Sequence, residues 1–346
     1  MKLHYWIIIL FSFSIILGGW FVYTEIYTAE AQDRDVVTFR INEKESVKEI
    51  SEKLEKKNII RNRWLFEKYL SFKNLDTKVR PGTFKVKEPI TIARVATALK
   101  NPQKNELEIT VIPGWNLYKL GSYFEDKNII RDKSQLYRVT GRPAEVTENY
   151  YLDIFKKTPA ILKSKPRGIS LEGYIRPDTY RISKDSSIEE IIIRLVKSRQ
   201  KQFSEQLFNK IKQEERTVHE VLTVASILEK EVQRQKDKRK VADIIWRRLR
   251  QDWPLQMDST VHYIHGETDT KFTTDKQRSS KNSYNTYEYS NLPPGPISNP
   301  SLKSIKAAVS PIENGYWYFL TDESGKAHFS KTLQEHNRKV QRYLRE

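Results

Sequence analysis

The chain has 346 residues, of which 38% are hydrophobic and 30% are charged, and it contains no cysteine. This composition suits a globular body of two or three domains and excludes a multi-pass membrane protein and a disordered chain. The lack of thiols excludes disulfides and cysteine catalysis. The formal net charge of +17 fits either a lysine-rich surface or attraction to a polyanion, such as nucleic acid, an anionic membrane or the anionic cell wall.

The first apolar segment, residues 5–23, carries no charged side chain. As a helix it would be roughly 28 Å long, which matches the hydrocarbon thickness of a bilayer. Tyr and Trp lie at both ends, Lys2 precedes the segment, and acidic residues follow it, which indicates an N-in, C-out orientation. We therefore expect a retained anchor; a signal peptide cleaved at the A-x-A sequence of residues 29–31 is the alternative.

An internal repeat follows the anchor, because residues 41–62 align without gaps on residues 111–132, and KNIIR occurs in both copies. In each copy a short alternating segment (36–41 and 107–112) predicts a strand, and an amphipathic helix follows it. The repeat therefore predicts two small α/β modules. The first copy resembles the LysM-like segments that often precede wall-cleaving domains, and both a supporting role and glycan binding remain open for it.

The amino-acid composition changes in the last half of the chain, where Gly, Pro, Asn and Tyr cluster in predicted loops at residues 171–180 and 284–300. A long helical stretch is predicted from residue 218 to about 250, strands at 316–320 and 327–330, and a basic helix at the end. The fold class is therefore α+β. The predicted domains are a cytoplasmic tail (1–4), a transmembrane anchor (5–23), a linker (24–35), a LysM-like module (36–102), a second repeat module (103–165) and a mixed α+β catalytic domain (166–346).

One carboxylate in the predicted helix falls on its apolar stripe. Glu229 lies four residues after Ala225 and seven after Leu222, whereas Glu220 and Glu231 are expected on the opposite, wet face. A carboxylate on the core side is either the partner of a buried Lys or Arg, or a catalytic acid whose pKa is raised in a cleft. Geometry alone leaves both interpretations open.

Five segments in a fixed order carry a family resemblance. They are LEGYIRPDTY (171–180), ASILEKE (225–231), LQMDSTV (255–261), YNTY (284–287) with LPPGPI (292–297), and HFS (328–330) with EHN (335–337). Together they resemble the MltG/YceG-like endolytic murein (lytic) transglycosylases over residues 168–346, and the anchor with a LysM-like region also fits that family. Arg176 and Met257 depart from the residues usual at their positions, which bears on substrate preference more than on activity.

The resemblance implies that Glu229 is the catalytic acid/base. It also implies a substrate groove lined by Gln256, Asp258, Asn285, Thr286 and Tyr287, with Glu172, Tyr174 and Asp178 close by or purely structural. Lytic transglycosylation needs no water, since one glutamate can protonate the leaving oxygen and then accept a proton from the C6 hydroxyl of the same muramic acid. If Asp258 served as a second carboxylate, the enzyme would instead be a muramidase-type hydrolase.

The expected partners are the glycan strands of peptidoglycan, the membrane and a neighbouring peptidoglycan synthase, whose strands the enzyme would terminate. Nucleic acid is not expected as a partner, and no metal or cofactor is expected, because His262 and His265 lack a metal-binding motif. The expected location is the cytoplasmic (inner) membrane, with a single pass and the bulk of the chain periplasmic or otherwise extracytoplasmic. A non-catalytic wall-binding scaffold is the alternative from another functional class.

Overall fold

The computed structural model describes residues 2–28, 36–87, 89–100, 106–148, 150, 153–184, 186–266 and 273–344, with side chains from residue 12 onward. The A-x-A sequence at 29–31 lies outside these residues. Two compact units are Met1–Leu107 with Arg181–Asp185, and Glu108–Tyr180 with Ser186–Glu346. The domain boundaries expected from the sequence stay predictions.

Helices and strands alternate with loops through the described residues. In order they are α1 (Lys2–Tyr27), β1 (Val36–Ile41), α2 (Val47–Lys56), α3 (Arg63–Phe72), β2 (Gly82–Lys87), α4 (Ile92–Ala98), β3 (Glu106–Val111), α5 (Leu117–Asp126), α6 (Lys133–Thr140), β4 (Asp178–Ser183), α7 (Ile188–Gln200), α8 (Glu205–Gln213), α9 (Val218–Glu231), α10 (Gln235–Arg250), α11 (Asp258–Ile264), α12 (Asp275–Arg278), α13 (Leu302–Val309), β5 (Tyr318–Thr321), β6 (Ala327–Ser330) and α14 (Leu333–Leu344).

The first copy of the repeat is a two-stranded antiparallel sheet with three helices. β1 pairs with β2 so that Phe39 lies opposite Phe84, and the two rings stack at 5.4 Å. Val37, Phe39 and Ile41 alternate with more exposed residues and pack against the buried faces of α2, α3 and α4. Alternation with a period of two gives a half-buried sheet its single core face, so this copy has a hydrophobic core of its own.

The second copy repeats the same order, with β3, α5, α6, β4 and α7, and β3 pairs with β4. Its first two helices begin 70 residues after α2 and α3. Asn58 and Asn128 have left-handed φ angles of 52° and 54° at matching positions after the first helix, a conformation that Asn tolerates well. The duplication predicted from the sequence is therefore present in the structure, and residues 141–177 form an insertion in the second copy only.

The helical stretch predicted from 218 to 250 is two helices, α9 and α10, because Val232 is extended (φ −142°, ψ 143°) and ends α9. Within α9 every residue from Val218 to Leu228 except Glu220 is buried. A helix buried on almost every side presents only a few residues to solvent. The prediction that Glu231 projects to a solvent-exposed face was wrong, because its carboxyl lies against Ser259 of α11.

The predicted anchor, residues 5–23, falls within α1, where side chains are described from residue 12 onward. In the described part of the chain, no helix is both long enough and apolar enough to cross a bilayer.

Candidate active site

Glu229, in the last turn of α9, is held by donors on three sides. Its Oε2 accepts hydrogen bonds from the backbone N–H of Ser301 at 2.8 Å and from the hydroxyls of Ser301 and Ser304 at 2.6 Å each. Its Oε1 lies 3.1 Å from Nζ of Lys238. Because Ser301 caps α13, the carboxylate also faces the positive end of that helix.

These contacts stabilise the charged form of Glu229. Burial acts to raise its pKa, but the hydrogen bonds from Ser301 and Ser304 and the charge of Lys238 outweigh burial, so the pKa is lowered. A carboxyl with a lowered pKa is ionised at neutral pH and has no proton to donate. Of the two interpretations that the sequence left open, the contacts favour the buried ion pair.

Glu231, two residues further along α9, has the opposite environment. Burial raises its pKa, and the negative charge of Asp258 raises it further, while Ser259 and Lys230 lower it by less. Its Oε1 accepts one hydrogen bond from the backbone N–H of Ser259, at 3.2 Å. The residue keeps an accessible edge. A partly exposed carboxyl with a raised pKa is what a general acid requires.

Asp258, at the start of α11, is oriented by two hydroxyl groups. The phenol of Tyr287 donates to its Oδ1 at 2.8 Å, and the hydroxyl of Thr273 donates to the same atom at 2.6 Å. Burial raises the pKa of Tyr287 above its ordinary value, so the phenol stays a donor. Asp258 and Tyr287, both predicted as groove residues, therefore lie together and next to Glu231.

Thr286 and Asn285, the two residues before Tyr287, are buried. The Thr286 hydroxyl accepts from the backbone N–H of Met257 at 2.9 Å and lies 2.9 Å from the Thr260 hydroxyl. The Asn285 amide donates to the carbonyls of Arg278 and Ser280, both at 2.7 Å. Both residues are almost fully buried, and their hydrogen bonds shape the loop that carries Tyr287.

Gln256 differs from its neighbours, because its side chain is exposed and its backbone is left-handed, with φ of 51°. Its N–H donates to the carbonyl of Thr286 at 2.9 Å, which fixes the loop entering α11. Its exposed amide is adjacent in sequence to Asp258.

Glu172 is fully buried and joins three segments of its unit. Its Oε2 accepts from the backbone N–H of Leu117 at 2.7 Å and from the phenol of Tyr263 at 3.2 Å, and its Oε1 accepts from the Asn299 amide at 3.0 Å. Burial raises its pKa to about 8, against the opposing effect of these donors. Asn299 in turn accepts from the N–H groups of Gly173 and Ile175.

Tyr174 is also fully buried, with its hydroxyl 2.8 Å from Nδ1 of His219, whose Nε2 lies 2.8 Å from the carbonyl of Pro294. His219 thus links Tyr174 to the loop that contains Pro294. Asp178 is partly exposed and pairs with Arg176 at 2.9 Å. The structure places Glu172 and Tyr174 in the buried interior of their unit.

Sequence reasoning missed Glu231, Ser259 and Thr273 as members of the site. The segment ASILEKE contains both glutamates. An apolar stripe calculated for an amphipathic helix cannot separate them when the helix is buried on almost every side. The available signal was position: Glu231 is the last residue of the helix, where a side chain can reach a neighbouring loop.

Comparison with known proteins finds matches over most of the chain. A family model described as the YceG-like family matches residues 39–342. The chain is 28% identical to the endolytic murein transglycosylase of Bacillus subtilis (strain 168), over 95% of this chain and 91% of that protein. It is 26% identical to that of Streptococcus pneumoniae D39 over 94% of this chain, and the match spans only 62% of that longer protein. A crystal structure of a YceG-like protein from Listeria monocytogenes has a TM-score of 0.58 and 28% identity, covering 88% of this chain and 98% of that one.

Proposed function

The chain belongs to the YceG-like family, and from that premise we propose that it is an endolytic murein transglycosylase. It would cleave the β-1,4 bond between MurNAc and GlcNAc inside glycan strands and leave a 1,6-anhydro-MurNAc end. The observation that carries the proposal is the contrast in contacts at the end of α9. Glu229 is bonded to Ser301, Ser304 and Lys238, whereas Glu231 accepts one backbone hydrogen bond and lies beside Asp258, which Tyr287 orients. Burial raises the pKa of Glu231, which is the direction that a general acid needs.

In this mechanism the acid/base is Glu231, in place of the Glu229 expected from the sequence. The protonated Glu231 carboxyl donates its proton to the glycosidic oxygen as the bond to C1 of MurNAc breaks. The resulting carboxylate then accepts the proton of the C6 hydroxyl while O6 bonds to C1. The ring closure is intramolecular and consumes no water, so one carboxyl returns to its starting state.

Asp258 supports both steps through its charge. Its carboxylate raises the pKa of Glu231 before proton transfer and would stabilise the positive charge that develops at C1 afterwards. Tyr287 and Thr273 hold it at 2.8 and 2.6 Å. Glu229, bonded to Lys238, Ser301 and Ser304, would fix the end of α9 so that Glu231 is presented correctly.

Digestion of purified murein by matched variants tests the assignment. We expect Glu231→Gln to lower the release of anhydro-muropeptides by about 10²- to 10⁴-fold with an unchanged melting temperature. Glu229→Gln breaks a buried ion pair and should lower the melting temperature while its folded fraction keeps activity.

Product mass decides between the remaining outcomes, because an anhydro end is one water lighter than a reducing end. Full activity of Glu231→Gln together with an inactive but folded Glu229→Gln would return the role to Glu229. Reducing ends from the wild type would favour a hydrolase that uses Asp258 as second carboxylate, and no release at all would favour the scaffold.

The proposal includes a membrane location, with residues 5–23 as a single-pass anchor and the catalytic unit on the extracytoplasmic side, where nascent strands are made. Large apolar side chains of α1 support it, because Ile16 and Trp20 are each 67% exposed and need an apolar environment. From this location the enzyme would end strands made by a neighbouring synthase. A C-terminal reporter fusion that is active only in the cytoplasm would contradict this orientation.

The first copy of the repeat is proposed to act as a LysM-like module beside the anchor. Its strand–helix–helix–strand order supports a small independent module. The sequence leaves open whether this module binds glycan or has a supporting role. The residues exposed on its surface help to distinguish the two roles.

A further inference from the structure

Helix α3 carries an exposed face that the proposed chemistry does not use. Trp64 and Phe72 are 61% and 78% exposed, although α3 otherwise packs its apolar residues into the core of the first copy. They lie eight residues apart, which is about 12 Å along a helix and on the same side of it. We define the aromatic–lysine face as the exposed side chains of Trp64, Lys68, Ser71, Phe72 and Lys73.

Cations are interleaved with the rings of this face. Nζ of Lys68 lies 5.9 Å from the centroid of the Trp64 ring, and Nζ of Lys73 lies 5.5 Å from that of Phe72. Across residues 61–73 the sequence has four basic residues and one acidic residue, and the acidic one, Glu67, is turned to the Ser51 hydroxyl of α2. Arg63 pairs with Glu55 at 3.9 Å, outside the face. The face therefore combines exposed aromatic rings with the positive charges of Lys68 and Lys73.

Ring contacts connect this face with the apolar helix α1. Trp20, Tyr23 and Tyr27 follow one another along α1 with centroids 6.4 and 5.1 Å apart, and Tyr27 meets Tyr69 of α3 edge-on at 6.3 Å. Nζ of Lys73 lies 5.9 Å from the same Tyr69 ring. An unbroken series of aromatic and cationic groups thus runs from the helix proposed as the anchor to the aromatic–lysine face.

We infer that the aromatic–lysine face binds the surface of the bilayer that holds α1, through anionic phospholipid headgroups. Trp and Tyr favour the membrane interface, and each lysine near an anionic surface adds attraction. The inference rests on the proposed membrane location. It deepens the proposal by making the first copy of the repeat a membrane-docking module that limits the tilt of the chain, in place of a glycan-binding one.

The absence of cysteine from the chain allows a site-specific test on the full-length protein. Ser71→Cys places a fluorophore on the face without replacing its aromatic or basic residues. Lys56→Cys, on the exposed side of α2, is the matched control in the same unit. Both variants are reconstituted into vesicles of phosphatidylglycerol and phosphatidylethanolamine that contain a headgroup nitroxide lipid.

We expect the label at residue 71 to be quenched about twofold more than the label at residue 56, since only the former would lie at headgroup depth. In vesicles of phosphatidylcholine the difference should shrink, because the lysines lose their anionic partners. Trp64→Ser combined with Phe72→Ser, both at exposed positions, should abolish the difference while leaving the melting temperature unchanged.

Three outcomes would overturn the inference, and they separate it from its premise. Vesicle flotation of the unlabelled chain reports the anchor alone, and a chain that fails to float overturns both. Floating chain with equal quenching at residues 56 and 71 overturns the docking surface only. A label at residue 71 that responds to soluble glycan strands and not to lipid would show that the face binds the wall.

Discussion

The two copies of the repeat share one framework, yet they stabilise the start of their first helix in different ways. In the first copy Ser46 and Glu49 form a capping box, with the Ser46 N–H donating to Glu49 at 2.7 Å. In the second copy the N-cap is Asn116, and Lys119 stands where the first copy has its glutamate. The carboxylate that accepts from this turn comes from Glu172, 55 residues away, through the N–H of Leu117.

This difference connects the second copy to the candidate active site by hydrogen bonds. A cap made within four residues leaves the helix self-sufficient, whereas a cap supplied from the insertion at 141–177 couples the helix to Tyr263 and Asn299. Tyr263 belongs to α11, which begins with Asp258, and Asn299 lies two residues before Ser301, the partner of Glu229. The carboxyl group of Glu172, which accepts a hydrogen bond from the start of α5, therefore also contacts the segments that carry the site residues.

The largest difference between the copies is expected in the free energy of unfolding when Glu172 or Glu49 is replaced with alanine. Glu172→Ala leaves buried donors of Leu117, Tyr263 and Asn299 without an acceptor and should lower the free energy of unfolding by roughly 3 kcal/mol. Glu49→Ala removes an exposed side chain and should have a much smaller effect. Urea unfolding of the two variants measures both, and equal losses would show that the long-range cap is no more important than the local one.

Much of the framework could be predicted from sequence, because its signals are local. The strand at 36–41 and the repeat at a displacement of 70 follow from alternation and from the KNIIR motif. The break between α9 and α10 and the different roles of Glu229 and Glu231 could not, because they depend on Lys238, Asp258, Ser259 and Ser301. These partners are distant in sequence, and a helical pattern does not contain them. Glu172 likewise shows its role only when Leu117, Tyr263 and Asn299 surround it.

The stability of the folded protein should also depend on pH through Glu172. Burial raises the pKa of Glu172 in the folded protein from 4.5 to about 8, so the folded state binds a proton more tightly than the unfolded state. Its contribution to stability is therefore full below about pH 4.5 and is lost as the pH rises towards 8. Glu172→Gln cannot titrate and should flatten this part of the stability curve. Unfolding of both proteins at pH 5 and pH 8 measures the change, and parallel curves would contradict the assignment.

The smallest expected effects are at the N-caps, where the copies are most alike. Ser46 accepts from the N–H of Glu49 at 3.3 Å, and Asn116 accepts from that of Lys119 at 2.9 Å. Replacing either with alanine should cost about 1 kcal/mol of unfolding free energy. Since Asn116 is buried and Ser46 exposed, the loss at Asn116 should be the greater of the two.

A double substitution at Asn116 and Glu172 tests whether the two caps of α5 depend on each other. Asn116 and Glu172 satisfy different donors, the N–H of Lys119 and that of Leu117, in one turn of α5. Asn116→Ala with Glu172→Ala should therefore destabilise by less than the sum of the single losses, because the first substitution already frays the turn that Glu172 holds. Ser46→Ala with Glu172→Ala, placed in different copies, should be additive. Thermal unfolding of the three single and two double variants distinguishes coupling within one helix start from independent caps. An additive result in both pairs would mean that Glu172 acts mainly through Tyr263 and Asn299.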